Sequence, residues 1–383
     1  CVVCLVGTHA TAEAKGILRS HPAIDAIAMG EYDYTTTELA RALTAGKNWS
    51  DIPGLCCRRG VEIRRSPARA PIENLDALPF LSRVYKKHLD VDNYFFSISR
   101  NPMVMLVSVR GCPSRCFFCV FPQTLHGRRF RCRSAENVVE EIAYIKRALP
   151  EVRMVVFEDD TFTADTQRAR EIASLLIERD LRMPWFANLR VTTDAETLRL
   201  MHDAGLQSCA AGFESGSQEL LDAAGKGITL DQSRRFMRDC RCLGIHVHGC
   251  FMVGFPGETE STMAQTLDFA LELDCDSAQF YPVFLYPGTE AYAWAKENGY
   301  LRDVPFSAWL DDAGRHACVY DLPGLPAERM TAFCEKANRR FHLRPSYLLR
   351  KMLRSLRSPD EARMFARSGW NYLQYLLGTG RAS

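Results

Sequence analysis

The stretch Ser108-Val-Arg-Gly-Cys-Pro-Ser-Arg-Cys-Phe-Phe-Cys-Val-Phe-Pro122 places Cys112, Cys116 and Cys119 at the spacing C-x3-C-x2-C. Three clustered thiolates can ligate three irons of a cubane [4Fe–4S] cluster, which ordinarily takes four cysteines. The fourth iron is then open to a small molecule, and an electron carrier becomes a catalyst. A zinc scaffold is the first alternative, but zinc usually takes two separated Cys/His pairs, and no second pair follows at finger-like spacing. A disulfide is disfavoured among cysteines this close in a chain whose other cysteines are scattered. An iron–sulfur electron carrier or binding protein is the other alternative.

Outward from this loop the chain repeats strand-then-helix six times. Strands are expected at 103–109, 154–158, 185–189, 208–213, 246–253 and 277–284. Amphipathic helices are expected at 135–149, 168–180, 195–204, 232–243 and 261–273. This alternation predicts an α/β fold, a partial (β/α)6 barrel of TIM type, with functional groups at the C-terminal strand ends. Polar residues fall there. The cysteine loop follows strand one, and Glu158-Asp159-Asp160 ends strand two. Asn188 and Arg190 end strand three, and Glu214-Ser215 ends strand four. Gly254-Phe-Pro-Gly-Glu258 ends strand five, and Tyr286-Pro-Gly-Thr289 follows strand six.

Residues 1–50 alternate strand and helix, which implies a parallel sheet with helices on its faces. The chain opens directly on an apolar strand, so further strands are expected upstream. Residues 51–100 read as a linker, 101–302 as the barrel and 303–383 as a helical, basic C-terminal region. In that region Arg339, Arg340, Arg344, Arg350, Lys351, Arg354, Arg357, Arg363 and Arg367 are interleaved with apolar residues. Such helices can rest on an anionic membrane surface or cap a barrel with a solvated face.

Composition narrows the classes further. A net charge of +2 over 383 residues gives no general pull toward nucleic acid. No apolar run approaches the roughly 20 residues that cross a bilayer. The scattered cysteines favour a reducing, cytoplasmic setting.

The cysteine loop and the residues around it resemble the radical S-adenosylmethionine (SAM) superfamily, and in particular its cobalamin-binding branch. The resemblance implies that the open iron chelates the amino and carboxylate groups of SAM. An electron from a flavodoxin- or ferredoxin-type donor then cleaves SAM to a 5′-deoxyadenosyl radical. It implies an adenine contact at Phe118 and an acceptor for the SAM ammonium among Glu158, Asp159 and Asp160, where the family has a Gly-Gly-Glu-like motif. Arg190 would bind the SAM carboxylate, and Glu214 and Ser215 the ribose. Gly249-Cys-Phe-Met-Val-Gly-Phe-Pro-Gly-Glu258 is similar to the fifth-strand adenine motif, with Gly254 allowing close approach of the base. Tyr286 joins these cofactor contacts.

Residues 1–50 resemble the back half of a cobalamin-binding Rossmann-like domain, whose turns Gly7-Thr-His-Ala-Thr11 and Gly30-Glu31 would line the corrin. The D-x-H-x-x-G segment that supplies a cobalt ligand in many relatives is absent from these residues, and His9 is not its substitute. Cobalamin is therefore expected in the longer protein. The nearest family likeness is to hopanoid-biosynthesis-associated members, through Phe121-Pro-Gln-Thr124, Arg129-Phe-Arg-Cys-Arg-Ser134 and Phe157-Glu-Asp-Asp-Thr-Phe162. It implies a lipid-headgroup or other small-molecule substrate, with C-methylation and rearrangement or ring contraction both open. Gln123, His126, Arg128 and Arg129 would either overhang the cavity and read substrate or form a solvated loop. Cys250 or Tyr281 would either quench a product radical or pack.

Overall fold

The computed structural model describes residues 1–94, 96, 98–311, 314–356, 362–363, 366 and 369–370. They form two compact units. The first comprises Cys1–Leu75, Arg110–Cys132 and Leu285–Gly299. The second comprises Asp76–Val109, Arg133–Phe284 and Tyr300 onward.

The first unit is built on a four-stranded sheet in chain order. Strands β1 (Cys4–Leu5) and β2 (Ala26–Ala28) pair in parallel. Strands β3 (Leu55–Arg59) and β4 (Glu62–Arg65) add an antiparallel hairpin. The stretch read as a linker thus opens inside the sheet, because Leu55, Cys56 and Cys57 are wholly buried. Side chains alternate across it. Ile27 and Cys56 pack with Ala10, Ala14 and Leu18 from the helices Thr8–Ala12 and Ala14–Ser20. Ala26, Ala28, Leu55 and Cys57 pack on the opposite face with Leu39 of the helix Asp33–Thr44.

The second unit is a six-stranded, all-parallel sheet: β5 (Met103–Leu106), β6 (Met154–Phe157), β7 (Trp185–Leu189), β8 (Leu206–Glu214), β9 (His246–Val253) and β10 (Ser277–Pro282). Sequential parallel neighbours are what the β/α repeat dictates. The intervening helices start at fixed points because Ser134, Asp165, Asp194, Thr229 and Thr259 each accept a hydrogen bond from a first-turn backbone N–H.

In β8 to β10 the two sheet faces differ. Cys209, Ala211 and Phe213, Val247 and Phe251, and Ala278 and Phe280 are buried. Phe213, Phe251 and Phe280 stack in a row at 5.5 and 5.1 Å, and Phe341 of the helix Ala327–His342 closes it. The alternate residues Ala210, Gly212, His248, Cys250, Ser277, Gln279 and Tyr281 face accessible space. On that side Met103, Met154, Val156 and Phe186 form an apolar cluster with Tyr94, Phe96 and Ile98.

The C-terminal helix Pro345–Ser355 turns its basic residues inward. Arg344 and Arg350 pair with Asp274, and Arg354 pairs with Asp276. Leu349, Met352, Leu353 and Leu356 are left exposed. Asp274, which caps the helix Glu260–Leu273, and Asp276, just before β10, thus hold the arginines. Arg357 and Arg367 lie outside the described residues, as do residues 371–383. Among the described residues no helix is long and apolar enough to cross a membrane.

Candidate active site

Within the first unit, residues 110–132 form the cysteine loop and its stems. Gly111 precedes Cys112 with φ +84°, and a Cβ there would lie 2.1 Å from the Arg129 carbonyl oxygen. Only glycine allows the two stems to approach this closely. Cys112 and Cys116 are buried, Cys119 is half-buried, and no disulfide joins them. Among the described residues no three Cys, His, Asp or Glu side chains gather around a single ion. Three free thiols on one short loop have the chemistry to ligate three irons of a [4Fe–4S] cluster.

Both stems are tied to the N-terminal sheet segment. Arg131 is buried and donates through Nη1 to Glu31 Oε2 at 3.0 Å and to the Ile72 carbonyl at 2.7 Å, while its Nη2 reaches Glu31 Oε1 and the His126 carbonyl. The Ile72 N–H donates to Glu31 Oε2 at 2.9 Å. Arg110 grips Asp33 with two bonds of 2.7 and 2.9 Å. Burial pushes the Asp33 carboxyl up, but Arg110 outweighs it and holds the group below its usual range. The Gly30-Glu31 turn therefore spends its carboxylate on the loop stem.

The loop is also held from residues 285–299. Phe117 accepts from the Ala291 N–H at 3.1 Å and stands edge-to-face on Trp294. Phe118 is half-buried, edge-on to Phe117 at 6.1 Å. Gln123 and Arg128 turn toward the cysteine loop: Gln123 bonds three of its carbonyls, and Arg128 donates to the Ser114 carbonyl at 2.7 Å. Arg129 pairs with Glu73 on the surface. The carbonyl of Tyr286 caps the turn leading to the helix Glu290–Glu297 by accepting from Thr289. Burial pushes the Tyr286 hydroxyl up.

In the second unit the acid run divides. Asp159 is fully buried and accepts from the Ser108 N–H (2.5 Å), the Ser108 hydroxyl (2.6 Å) and the Val109 N–H (3.0 Å). Its two oxygens splice the ends of β5 and β6 together. Burial nevertheless drives its carboxyl up. Glu158 is exposed, and among the described residues nothing hydrogen-bonds its carboxylate. Desolvation by the surrounding protein, and then Asp159, push that carboxyl up. Asp160 is half-buried.

Arg190 donates to the carbonyl oxygens of Lys226 (3.2 Å) and Gly227 (3.5 Å), tying that loop to the end of β7. Glu214 ends β8 with φ +62°, a left-handed conformation that strains a residue with a Cβ. Its Oε1 accepts from Lys226 Nζ at 2.6 Å, while its buried Oε2 has no hydrogen-bond partner among the described residues. An orphaned carboxylate oxygen is costly, and a ligand hydroxyl would satisfy it. Ser215 is wholly buried, its hydroxyl shared by Thr266 and the Ser217 N–H, so it shapes the turn instead.

Gly254 lies in the left-handed region at φ +93°. The space beside it is filled: a Cβ would lie 2.0 Å from the Tyr320 hydroxyl and 2.9 Å from Met330 Sδ. Its carbonyl accepts from Tyr320 (3.0 Å) and its N–H donates to Glu258 (2.9 Å). What approaches this glycine closely is Tyr320, a residue 66 positions away.

On the accessible face, His248 bonds Ser277 Oγ at 2.8 Å. Burial lowers it to about 4, so the ring is neutral near pH 7. Burial raises the Cys250 thiol to about 12, with Glu214 adding to it, so the S–H is retained. Lys226, Glu31, Arg131 and Gln123 carried no local signal for these roles, because each acts on a partner distant in sequence or on main-chain carbonyls.

A family model described as the radical SAM superfamily matches residues 106–270. The chain is 32% identical over 351 residues to "Uncharacterized methyltransferase PH0819" of Pyrococcus horikoshii, covering 91% of this chain and 74% of that protein. It is 29% identical over 302 residues to an anaerobic magnesium-protoporphyrin IX monomethyl ester cyclase of Rubrivivax gelatinosus, covering 76% of this chain but only 52% of the cyclase. In fold it is similar to the radical S-adenosylmethionine methyltransferase TsrM of Kitasatospora setae, solved with cobalamin and a [4Fe–4S] cluster bound. The TM-score is 0.68 at 19% identity, over 90% of this chain and 72% of that one.

Proposed function

Because this chain belongs to the radical SAM superfamily, we propose that it is a cobalamin-dependent radical SAM methyltransferase of a small molecule. The observation that carries this reading is the cysteine loop held, within one unit, on the N-terminal sheet segment by Glu31–Arg131 and Asp33–Arg110. The names of the 32%-identical relative and of TsrM favour methylation over rearrangement or ring contraction. Neither of them names a lipid headgroup.

Cys112, Cys116 and Cys119 would hold the cluster. When bound, the cluster supplies the electron that cleaves SAM, and cobalamin carries the methyl group. Glu158 is the acid best suited to the SAM ammonium, because Asp159 is already committed to Ser108 and Val109. Glu214 would accept a ribose hydroxyl at Oε2, with Lys226 holding the carboxylate in place through Oε1. Arg190 fixes the Lys226–Gly227 loop that brings that lysine into place. Neutral His248, Gln279 and Tyr281 offer an uncharged hydrogen-bonding wall to a substrate.

The test is to purify the protein anaerobically with added hydroxocobalamin, reconstitute iron and sulfide, and supply methyl-deuterated SAM with extracts of small molecules. A product heavier by one deuterated methyl group supports methyl transfer. A product of unchanged mass, formed with 5′-deoxyadenosine, would replace methylation with rearrangement.

A further inference from the structure

Gln123 follows the last cysteine by four residues and is engaged at both ends of its amide. Nε2 donates to the carbonyl oxygens of Cys119 (2.9 Å) and Phe117 (3.0 Å), with Cys116 at 3.4 Å. Oε1 accepts from the Glu290 N–H at 2.8 Å. The amide's orientation follows from its partners, since carbonyls only accept and a backbone N–H only donates. One side chain therefore links the main chain of two of the three cysteines to the first turn of the helix Glu290–Glu297. Arg128 makes a second, weaker bridge between the same segments, from the Ser114 carbonyl to the exposed Glu290 carboxylate.

No other common side chain of this size does both jobs. A glutamate would keep the acceptor but set negative oxygens against carbonyl oxygens. A methionine would leave carbonyls and an N–H without partners. A loop that must present three thiolates to one cluster depends on a fixed main-chain path, and groups that orient ligands shape a metal centre almost as strongly as the ligands do.

We propose that Gln123 is a positioning residue for the cluster, its amide fixing the main chain that carries Cys116 and Cys119. This rests on the three cysteines being cluster ligands. The experiment compares wild type, Gln123→Glu and Gln123→Met, each reconstituted anaerobically. The readouts are iron and sulfide content, the EPR spectrum of the dithionite-reduced cluster with and without SAM, and the rate of iron loss to bathophenanthroline.

Both variants are expected to keep wild-type circular dichroism without cluster, to lose iron about tenfold faster, and to show shifted g-values. Gln123→Glu is expected to be the more affected. Variants that fold and match wild type in spectrum and in iron release would overturn the proposal. So would loss of fold in both cluster-free variants, which would make Gln123 a stabiliser of the unit and nothing more. A wild type that takes up no [4Fe–4S] cluster would overturn the ligand assignment itself, and this proposal with it.

Discussion

Arg131 and Glu31, one hundred residues apart, form a buried ion pair that joins the stem of the cysteine loop to the turn after β2. Both carboxylate oxygens and both terminal guanidinium nitrogens are engaged, with further bonds to the Ile72 N–H and to the Ile72 and His126 carbonyls, while the buried Arg131 Nε has no hydrogen-bond partner among the described residues. These added bonds are what make a buried pair tolerable. Removing one member leaves the other charged, buried and unpaired. Glu31→Ala is expected to destabilise the protein by about 3–5 kcal/mol in urea unfolding. An effect below about 1 kcal/mol would mean that the pair contributes no more than a surface one.

Glu214 and Lys226 form the second charged pair on which the reading depends. If Oε2 of Glu214 receives a SAM hydroxyl, Glu214→Gln should weaken SAM binding by about 10- to 100-fold. Equilibrium dialysis measures it. Lys226→Met should have an effect of the same direction, because Glu214 Oε1 would lose the donor that orients the carboxylate. Unchanged SAM affinity in Glu214→Gln would remove Glu214 from the SAM contacts.

His248 makes stability depend on pH in a definite direction. Its folded value of about 4 lies below the ordinary 6.5, so the unfolded chain binds more protons between these values. Its contribution is therefore complete above pH 6.5 and is lost as pH falls toward 4, by roughly 3 kcal/mol in all. His248→Gln should flatten that part of the stability-versus-pH curve. A variant curve parallel to wild type between pH 6.5 and 4 would show that His248 titrates as it does in the unfolded chain.

Gly254 leaves no room for a side chain, since Tyr320 Oη and Met330 Sδ occupy the position of a Cβ and φ is +93°. Gly254→Ala is expected to cost at least about 2 kcal/mol and to lower the melting temperature. Adding Tyr320→Phe removes the clashing hydroxyl, and should recover part of the loss. No recovery would mean that backbone strain outweighs the clash.

Much of the second unit was legible in the sequence because each β/α unit carries its own local signals: an apolar strand, a capping Ser, Thr or Asp, and an amphipathic helix. Trp185–Leu189 and His246–Val253 begin and end where their patterns do. The strand-end positions followed from the parallel topology. What each side chain does there was not legible, because hydrogen-bond partners are set by packing. Nothing local distinguishes Glu158 from Asp159, yet one is exposed and the other is locked to Ser108. Gly254 reads as an opening for a flat base, and nothing local announces that a tyrosine from far downstream packs against its Cβ side. The basic C-terminal helix reads either as a membrane face or as a barrel cap, and nothing local announces that Asp274 and Asp276 pair with its arginines.

The central claim is that Cys112, Cys116 and Cys119 hold a cluster that engages SAM. The most direct measurement is to incubate SAM with the anaerobically reconstituted, reduced protein and with Cys119→Ala, and to quantify 5′-deoxyadenosine and S-adenosylhomocysteine. Cluster EPR is recorded before and after SAM is added. The account predicts a SAM-induced spectral change and turnover of SAM by the wild type, and neither by the variant. A wild type with full iron and sulfide whose spectrum ignores SAM, and which forms neither product, would contradict it and leave an iron–sulfur protein that does not use SAM.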